Sequence, residues 1–138
     1  MRLEFGRAIG LYANGIGVDA YVYWRRIFER ILIHAKEEAE LNVNRPIEDF
    51  NNLRMDQKIN VLKDYLASFL TSNKEIYGII SKGINELSEE ECLDYFSVLK
   101  NNILLIIHEW NIKKSEQKMK DNISSALNDI SNKIKGEK

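Results

Sequence analysis

The chain contains very little cysteine or proline, and this scarcity excludes one broad class of protein. Its 138 residues include one cysteine, Cys92, and one proline, Pro46. A single cysteine cannot form a disulfide within the chain, so the disulfide-rich secreted scaffolds are excluded and a reducing, cytoplasmic location is expected. A chain of this length can bury a sufficient core without covalent or metal support.

Long apolar runs and an excess of one charge are also missing. The longest aliphatic run is Ile103 to Ile107, and the first residues, Met1 to Phe5, lack the apolar stretch of a signal peptide. The 20 basic and 21 acidic residues give a formal net charge of −1. No global positive field therefore draws the chain to nucleic acid or anionic lipid. We expect no membrane partner, whereas local patches keep RNA open as a partner.

Apolar residues recur throughout the chain at the spacing of amphipathic helices. The pattern predicts an all-α fold, an up-and-down bundle of about five to six helices within a single domain, residues 1–138. Residues 1–110 are expected to form the core bundle and residues 111–138 an amphipathic C-terminal helix. The predicted helices of the bundle are Leu3–Ala13, Ala20–Leu41, Met55–Leu70, Lys74–Leu87 and Glu89–Trp110.

Local signals mark several of the predicted helix ends. The segment Asn14-Gly15-Ile16-Gly17 is a turn or a helix break, and Asp19 is a plausible N-cap for the second helix. The segment Ser88-Glu89-Glu90-Glu91 forms a capping box, with Ser88 as N-cap and Glu91 at the third helical position. Gly83, inside the fourth helix, permits a close backbone approach or a kink.

The composition changes after Trp110. Residues 111–138 hold seven lysines and four acids, a local charge of +3. A thinner apolar stripe persists there, and it predicts a lone amphipathic helix that packs on the domain or on a second copy of the chain. The stripe consists of Met119, Ile123, Ala126 or Leu127, Ile130 and Ile134.

Few residues offer catalytic or metal-binding chemistry. The chain has no phosphate-binding glycine loop and no paired-cysteine zinc site, so no cofactor and no metal are expected. His34 and His108 lie on different helices, and neither has a second histidine or cysteine at metal spacing. Cys92 occupies the apolar stripe of its helix, which favours a buried structural cysteine over a reactive thiol.

The second predicted helix carries a basic cluster around Glu29. Arg25 and Arg26 stand four and three residues before Glu29, so either can pair with it on the helix surface. One interpretation is a solvated ion-pair face, which is common on helices. The other is a polar pocket in which a fixed guanidinium holds a phosphate or a nucleic-acid backbone.

Two stretches of the chain resemble known bacterial sequences. Gly15-Ile16-Gly17 through Tyr23-Trp24-Arg25-Arg26-Ile27-Phe28-Glu29 resembles an opening of glycine break, aromatic helix and Arg-Arg-x-x-Glu. Ser81-Lys82-Gly83-Ile84-Asn85-Glu86-Leu87-Ser88-Glu89-Glu90-Glu91-Cys92 resembles a Ser-Lys-Gly-Ile-His-Glu-Leu-Ser-Glu-Glu-Glu-Cys block. Both occur in a group of uncharacterised bacterial helical domains that is similar to HEPN-type domains. That resemblance implies a HEPN-like bundle, often dimeric, of the kind found in RNA-cleaving toxins and defence proteins.

The sequence departs from the HEPN pattern at the residues that carry the chemistry. HEPN ribonucleases share an Arg-x(4–6)-His motif, but only three residues separate Arg30 from His34. Where the uncharacterised group has a histidine, this chain has Asn85, whose amide cannot act as a general base at neutral pH. The resemblance therefore implies a copy that is inactive or that uses other groups, with a residual polar pocket for which the candidates are Arg26, Glu29, Lys82 and Asn85.

These observations predict a non-catalytic helical interaction or dimerisation domain of a bacterial or phage-related defence system. The expected partner is a second copy or another protein. The alternative is a HEPN-like RNA-cleaving or nucleotide-binding domain. A DNA-binding regulator ranks last, because the chain lacks a helix-turn-helix pattern and a basic recognition helix. The related domains often follow other modules, so the resemblance also implies that this chain is the C-terminal part of a larger protein.

Overall fold

The computed structural model describes residues 1–136, and this part of the chain is an all-α bundle without β-strands. The all-α prediction is thereby confirmed. Short 3₁₀ turns, Phe50–Asn52 and Lys63–Tyr65, flank the third helix. The α-helices are α1 (Arg2–Ala13), α2 (Val18–Val43), α3 (Met55–Val61), α4 (Ser68–Ser72), α5 (Glu75–Asn85) and α6 (Glu89–Gly136).

Helix α2 lies at the centre of the bundle, as its broad apolar surface predicts. Helices α1 and α5 run antiparallel to it: Phe5 of α1 contacts Trp24, and Tyr77 of α5 contacts Phe28. Helix α6 runs parallel to α2, because Trp24 stacks on Phe96 near the start of α6. Nine side chains of α2 are buried: Ala20, Tyr21, Trp24, Ile27, Phe28, Ile31, Leu32, Ala35 and Ala39.

A row of aromatic rings joins α1, α2 and α6. The ring of Tyr12 stacks on Phe96 at a centroid distance of 4.1 Å, and Phe96 stacks on Trp24 at 5.1 Å. Phe5 completes the row against Trp24 at 5.2 Å. Contacts of this kind add to the free energy gained by burying the rings themselves. They explain why α1 is helical and docked although Gly6 and Gly10 disfavour a helix.

The prediction of one continuous helix from Met55 to Leu70 is wrong. Helix α3 ends at Val61, and the chain becomes extended at Leu66 and Ala67 before α4 begins. Two α6 side chains hold this break. The Glu109 carboxylate accepts a hydrogen bond from the Phe69 amide at 3.1 Å, and the Lys113 ammonium donates to the carbonyls of Asp64 and Leu66. These partners satisfy backbone groups that a continuous helix would have paired internally.

Asp19 is not the N-cap of α2, contrary to the sequence-based expectation. The helix begins two residues earlier than predicted, with Gly17 at the N-cap position and Asp19 inside the first turn. The cap comes instead from α6, where the Glu89 carboxylate accepts hydrogen bonds from the amides of Gly17 and Val18. A carboxylate at a helix N-terminus pairs unsatisfied amides and favours the helix dipole, so it replaces a local cap.

Helix α6 begins as predicted and then continues far beyond the bundle. The capping box is present: the Glu91 amide donates to Ser88 Oγ, and the Ser88 amide donates to the Glu91 carboxylate, both at 3.1 Å. No break separates the core part from the predicted C-terminal helix, whose last two positions, 137 and 138, lie outside the described residues. The predicted stripe of this helix is buried in full: Cys92, Phe96, Leu99, Ile103, Ile106 and Trp110.

Candidate functional site

The four residues predicted to form a polar pocket all lie on the surface of α2 and α5. Arg26 lies over the Tyr23 ring at 5.0 Å, and Glu29 pairs with Arg25 at 3.7 Å. The Asn85 side chain is occupied by its own helix, because it donates to the Ser81 carbonyl at 3.1 Å. Within residues 1–136, no hydrogen bond or ion pair joins any two of Arg26, Glu29, Lys82 and Asn85.

The two histidines are also separate. The exposed His34 lies 3.9 Å from the Glu37 carboxylate and packs its ring 5.7 Å from the ring of Trp110. The shallow cleft beside His34 is lined by residues of α2 and α6, among them Lys114 and Lys118, and by no arginine. His108 is exposed on α6. The structure thus does not join His34 to the arginine that HEPN chemistry would require.

Among residues 1–136, no three histidine, cysteine or acidic side chains are grouped closely enough to hold a metal ion. None of the helices there combines the length and the apolar character needed to cross a bilayer.

The two sequence blocks that carry the resemblance meet at one junction of α2, α5 and α6. The Tyr21 hydroxyl donates to the Cys92 carbonyl at 2.8 Å, and the Cys92 thiol donates to the Gly83 carbonyl at 3.2 Å. Gly83 lies directly under the Tyr21 ring, where any Cβ atom would overlap it. A Cβ on Gly17 would approach the Cβ of Cys92 to 2.8 Å. These glycines are therefore required for close packing, and the junction is structural.

Cys92 has the environment of a structural thiol, as the sequence indicates. Its side chain is fully buried. Burial raises the pKa of the thiol, and the carboxylates of Glu89 and Glu91 add to this effect. Burial likewise raises the pKa of the Tyr21 hydroxyl. Neither group is prepared to react at neutral pH.

A cleft that the sequence did not reveal lies between α2 and the segment from Phe50 to Lys58. The ammonium groups of Lys36 and Lys58 lie over the Phe50 ring, at 5.6 and 5.3 Å from its centroid. Tyr77 and Glu29 line the same cleft. Lys36 is already paired with Glu40 at 2.7 Å. The loop residue Phe50 carries no periodic signal, so sequence patterns alone could not place it beside these lysines.

The most extensive unpartnered feature is the part of α6 beyond the bundle, Asn111–Gly136, which we name the α6 arm. Every residue of the arm is exposed, although its first turn is tied to the bundle by Lys113, which donates to the carbonyls of Asp64 and Leu66. The fully apolar members of the predicted stripe are 57 to 65% exposed. They are Met119, Ile123, Leu127, Ile130 and Ile134.

The stripe on the arm has the spacing of a coiled-coil seam. Starting at Ile112, one set of positions advances by four and three residues in strict alternation, which is the heptad pattern of two helices that pack along their length, and three of the five exposed stripe residues fall on it. The seam comprises Ile112, Glu116, Met119, Ile123, Ala126, Ile130 and Lys133. Leu127 and Ile134 widen it on one side. Ile112 follows Trp110, the last residue of the buried stripe, by two positions, which is about 200° around the helix, so this seam faces away from the bundle.

Comparison of the chain with protein-family models, with curated proteins and with solved structures gives no match.

Proposed function

We propose that this chain is a non-catalytic helical interaction domain whose α6 arm packs against the α6 arm of a second copy. One observation carries the proposal: the arm is a long helix that exposes a row of large apolar side chains to water. Exposed apolar rows of this size mark surfaces that bind a partner. An isolated helix in water is also only marginally stable, so packing against a second helix stabilises it.

The exposed apolar area is sufficient for a dimer of moderate affinity. Five large apolar side chains on the seam or directly beside it are 57 to 65% exposed, and burying the exposed part of each contributes on the order of 1 kcal/mol. Five such side chains from each arm contribute on the order of 10 kcal/mol. Association costs about 4 kcal/mol or more, which leaves at most about 6 kcal/mol, so we expect a reversible dimer with a dissociation constant of tens of micromolar or weaker rather than an obligate dimer.

The seam also suits a second copy because large and small residues alternate near its centre. Ala126 stands between Ile123 and Ile130. An isoleucine of one arm fits opposite a small residue of the other in knobs-into-holes packing. The resemblance to bacterial helical domains supports a role of this interaction in a bacterial or phage-related defence system, and that setting is part of the proposal.

Sedimentation velocity of the full chain at tens to hundreds of micromolar tests the proposal. We expect a concentration-dependent dimer that the double substitution Ile123→Glu/Ile130→Glu converts to a monomer. The matched control is Ser124→Glu/Ser131→Glu, which adds the same charges one residue further along the helix, outside the seam. Because all four positions are exposed in the single chain, circular dichroism should show an intact fold in both variants.

A monomeric wild-type chain at these concentrations would contradict the proposal. So would a dimer that the seam and control substitutions weaken equally.

The contacts of Arg26 and Asn85 give no specific support to the ribonuclease alternative. Ribonuclease activity of this chain stays a prediction. Incubation of the purified chain with mixed RNAs, beside Arg26→Ala, tests it.

A further inference from the structure

We infer that the two α6 arms pair antiparallel, in a register set by crossed contacts between Glu116 of each arm and the partner's Lys133. This inference rests on the proposed function and specifies the orientation of the second copy. It arises from the two charged residues that the heptad seam contains within residues 1–136, Glu116 near its start and Lys133 near its end. Both are exposed in the single chain.

A parallel pair of arms would place like charges together inside the seam. In a parallel, in-register dimer each seam residue faces its own copy. Glu116 would then face the partner's Glu116, and Lys133 the partner's Lys133. Like charges at a partly desolvated interface oppose association, so this arrangement is penalised at both ends of the seam.

An antiparallel pair removes both penalties with one register. If Glu116 lies level with the partner's Lys133, then Met119 lies level with the partner's Ile130, and Ile123 with the partner's Ala126. Each large residue at the centre meets a small one, and each terminal layer joins opposite charges. Electrostatic complementarity of this kind selects orientation and register more than it adds affinity.

The same register suits the position of the bundles. Its centre falls between Ser124 and Ser125, close to the middle of the α6 arm, Asn111–Gly136. The bundles therefore lie at opposite ends of the paired arms, and almost the whole exposed length of each arm is covered. At about 1.5 Å per residue, the two Trp110 side chains would lie about 44 Å apart along the axis.

Charge reversal in the seam tests the orientation. In the antiparallel register, Glu116→Lys brings two lysines together in both terminal layers, and Lys133→Glu brings two acids together. We expect each single reversal to weaken the dimer about tenfold or more. The double variant Glu116→Lys/Lys133→Glu restores opposite charges and should return the affinity to near the wild-type value. In a parallel pair, both the single and the double variants keep like charges together, so rescue would not occur.

Two controls match the change in net charge. Asp121→Lys and Lys135→Glu alter the opposite face of the arm, which does not meet the partner, and they should leave the dissociation constant within about twofold of wild type. If the single reversals weaken the dimer no more than these controls do, the inference fails while the proposed dimer stands. A wild-type monomer would overturn both.

Distances between spin labels give an independent readout. Ser125→Cys and Asn132→Cys occupy the same heptad position, so a parallel dimer would give the same short distance for both. In the antiparallel register, the labels at position 125 lie almost level, whereas those at 132 lie about 22 Å apart along the axis. Equal distances at the two sites would refute the antiparallel arrangement. The buried Cys92 of the folded chain does not compete for the label.

Discussion

The Glu89 carboxylate accepts hydrogen bonds from the amide of Gly17 and from the amide that follows it, although 72 residues separate Gly17 from Glu89. Glu89 thus caps the N-terminus of α2 while it stands in the first turn of α6. The two helix starts are held side by side, which is possible because Gly17 has no Cβ to keep α6 away. This contact fixes the parallel alignment of α2 and α6.

Removal of the Glu89 carboxylate should destabilise the bundle. In Glu89→Ala the amides at the start of α2 lose their partner, and we expect the free energy of unfolding to fall by about 1 kcal/mol. Denaturant titration followed by circular dichroism measures the change. Glu90→Ala removes an equivalent acid from the first turn of α6 without uncapping α2. A loss equal to that of Glu90→Ala would show that the cap contributes nothing.

Gly83 should tolerate no side chain. Gly83→Ala places a methyl group in the Tyr21 ring, and we expect a loss of about 1 to 3 kcal/mol in the free energy of unfolding. Gly78→Ala on the same helix meets open space and should be neutral or stabilise by up to about 1 kcal/mol, because alanine favours a helix. Thermal unfolding of the two variants makes the comparison. Equal melting temperatures would contradict the close packing of α5 on α2.

The Cys92 thiol should react only when the chain unfolds. Its side chain is fully buried and its pKa is raised, so an aromatic disulfide reagent at pH 8 should modify the native protein slowly. Absorbance of the released thiolate follows the reaction, which denaturant should accelerate. An exposed thiol introduced by Ser125→Cys provides the fast reference. Rapid labelling of wild type under native conditions would indicate that the junction of α2, α5 and α6 opens readily.

The Glu4 carboxylate should make stability depend on pH. Glu4 is buried and lies 2.7 Å from the Arg30 guanidinium. A hydrogen bond with the backbone lowers its pKa despite its burial, and the charges of the Met1 ammonium, 3.2 Å away, and of Arg30 add to the lowering. Because the folded-state pKa lies below the unfolded value, the ionised carboxylate stabilises the fold above the unfolded pKa, and this contribution is lost as pH falls through the folded-state pKa.

The substitution Glu4→Gln tests this dependence. We expect the variant to be less stable than wild type near neutral pH, with the difference shrinking in acid. Glu29→Gln serves as the control, since Glu29 forms only an exposed pair with Arg25. Urea titrations from pH 7 to pH 3 give both curves. A difference between wild type and Glu4→Gln that stays constant over this range would contradict the ionic role.

Features that depend on neighbouring residues in sequence were predictable. The capping box at Ser88 and the buried stripe from Cys92 to Trp110 follow from local hydrogen bonding and helical periodicity. The break at Leu66 was not predictable in this way, since α3 and α4 share a helical apolar pattern. It depends on Glu109 and Lys113, more than 40 residues later in the chain.

The same distinction applies to the candidate sites. Sequence patterning identified the apolar residues of the α6 arm, because their regular spacing lies within a single helix. It could not show that the arm leaves the bundle, since this depends on where the surface of the other helices ends. The contacts of Arg26 and Asn85 also depend on the tertiary arrangement. The sequence resemblance alone therefore could not show whether these two side chains share a pocket.

Glu109 and Lys113 also have a mechanical consequence, because they anchor α6 on both sides of Trp110, at the point where the helix leaves the bundle. From that anchorage the helix extends about 39 Å at 1.5 Å per residue. A single chain should therefore diffuse as an elongated particle, with a frictional ratio and a radius of gyration above those of a sphere of 16.1 kDa.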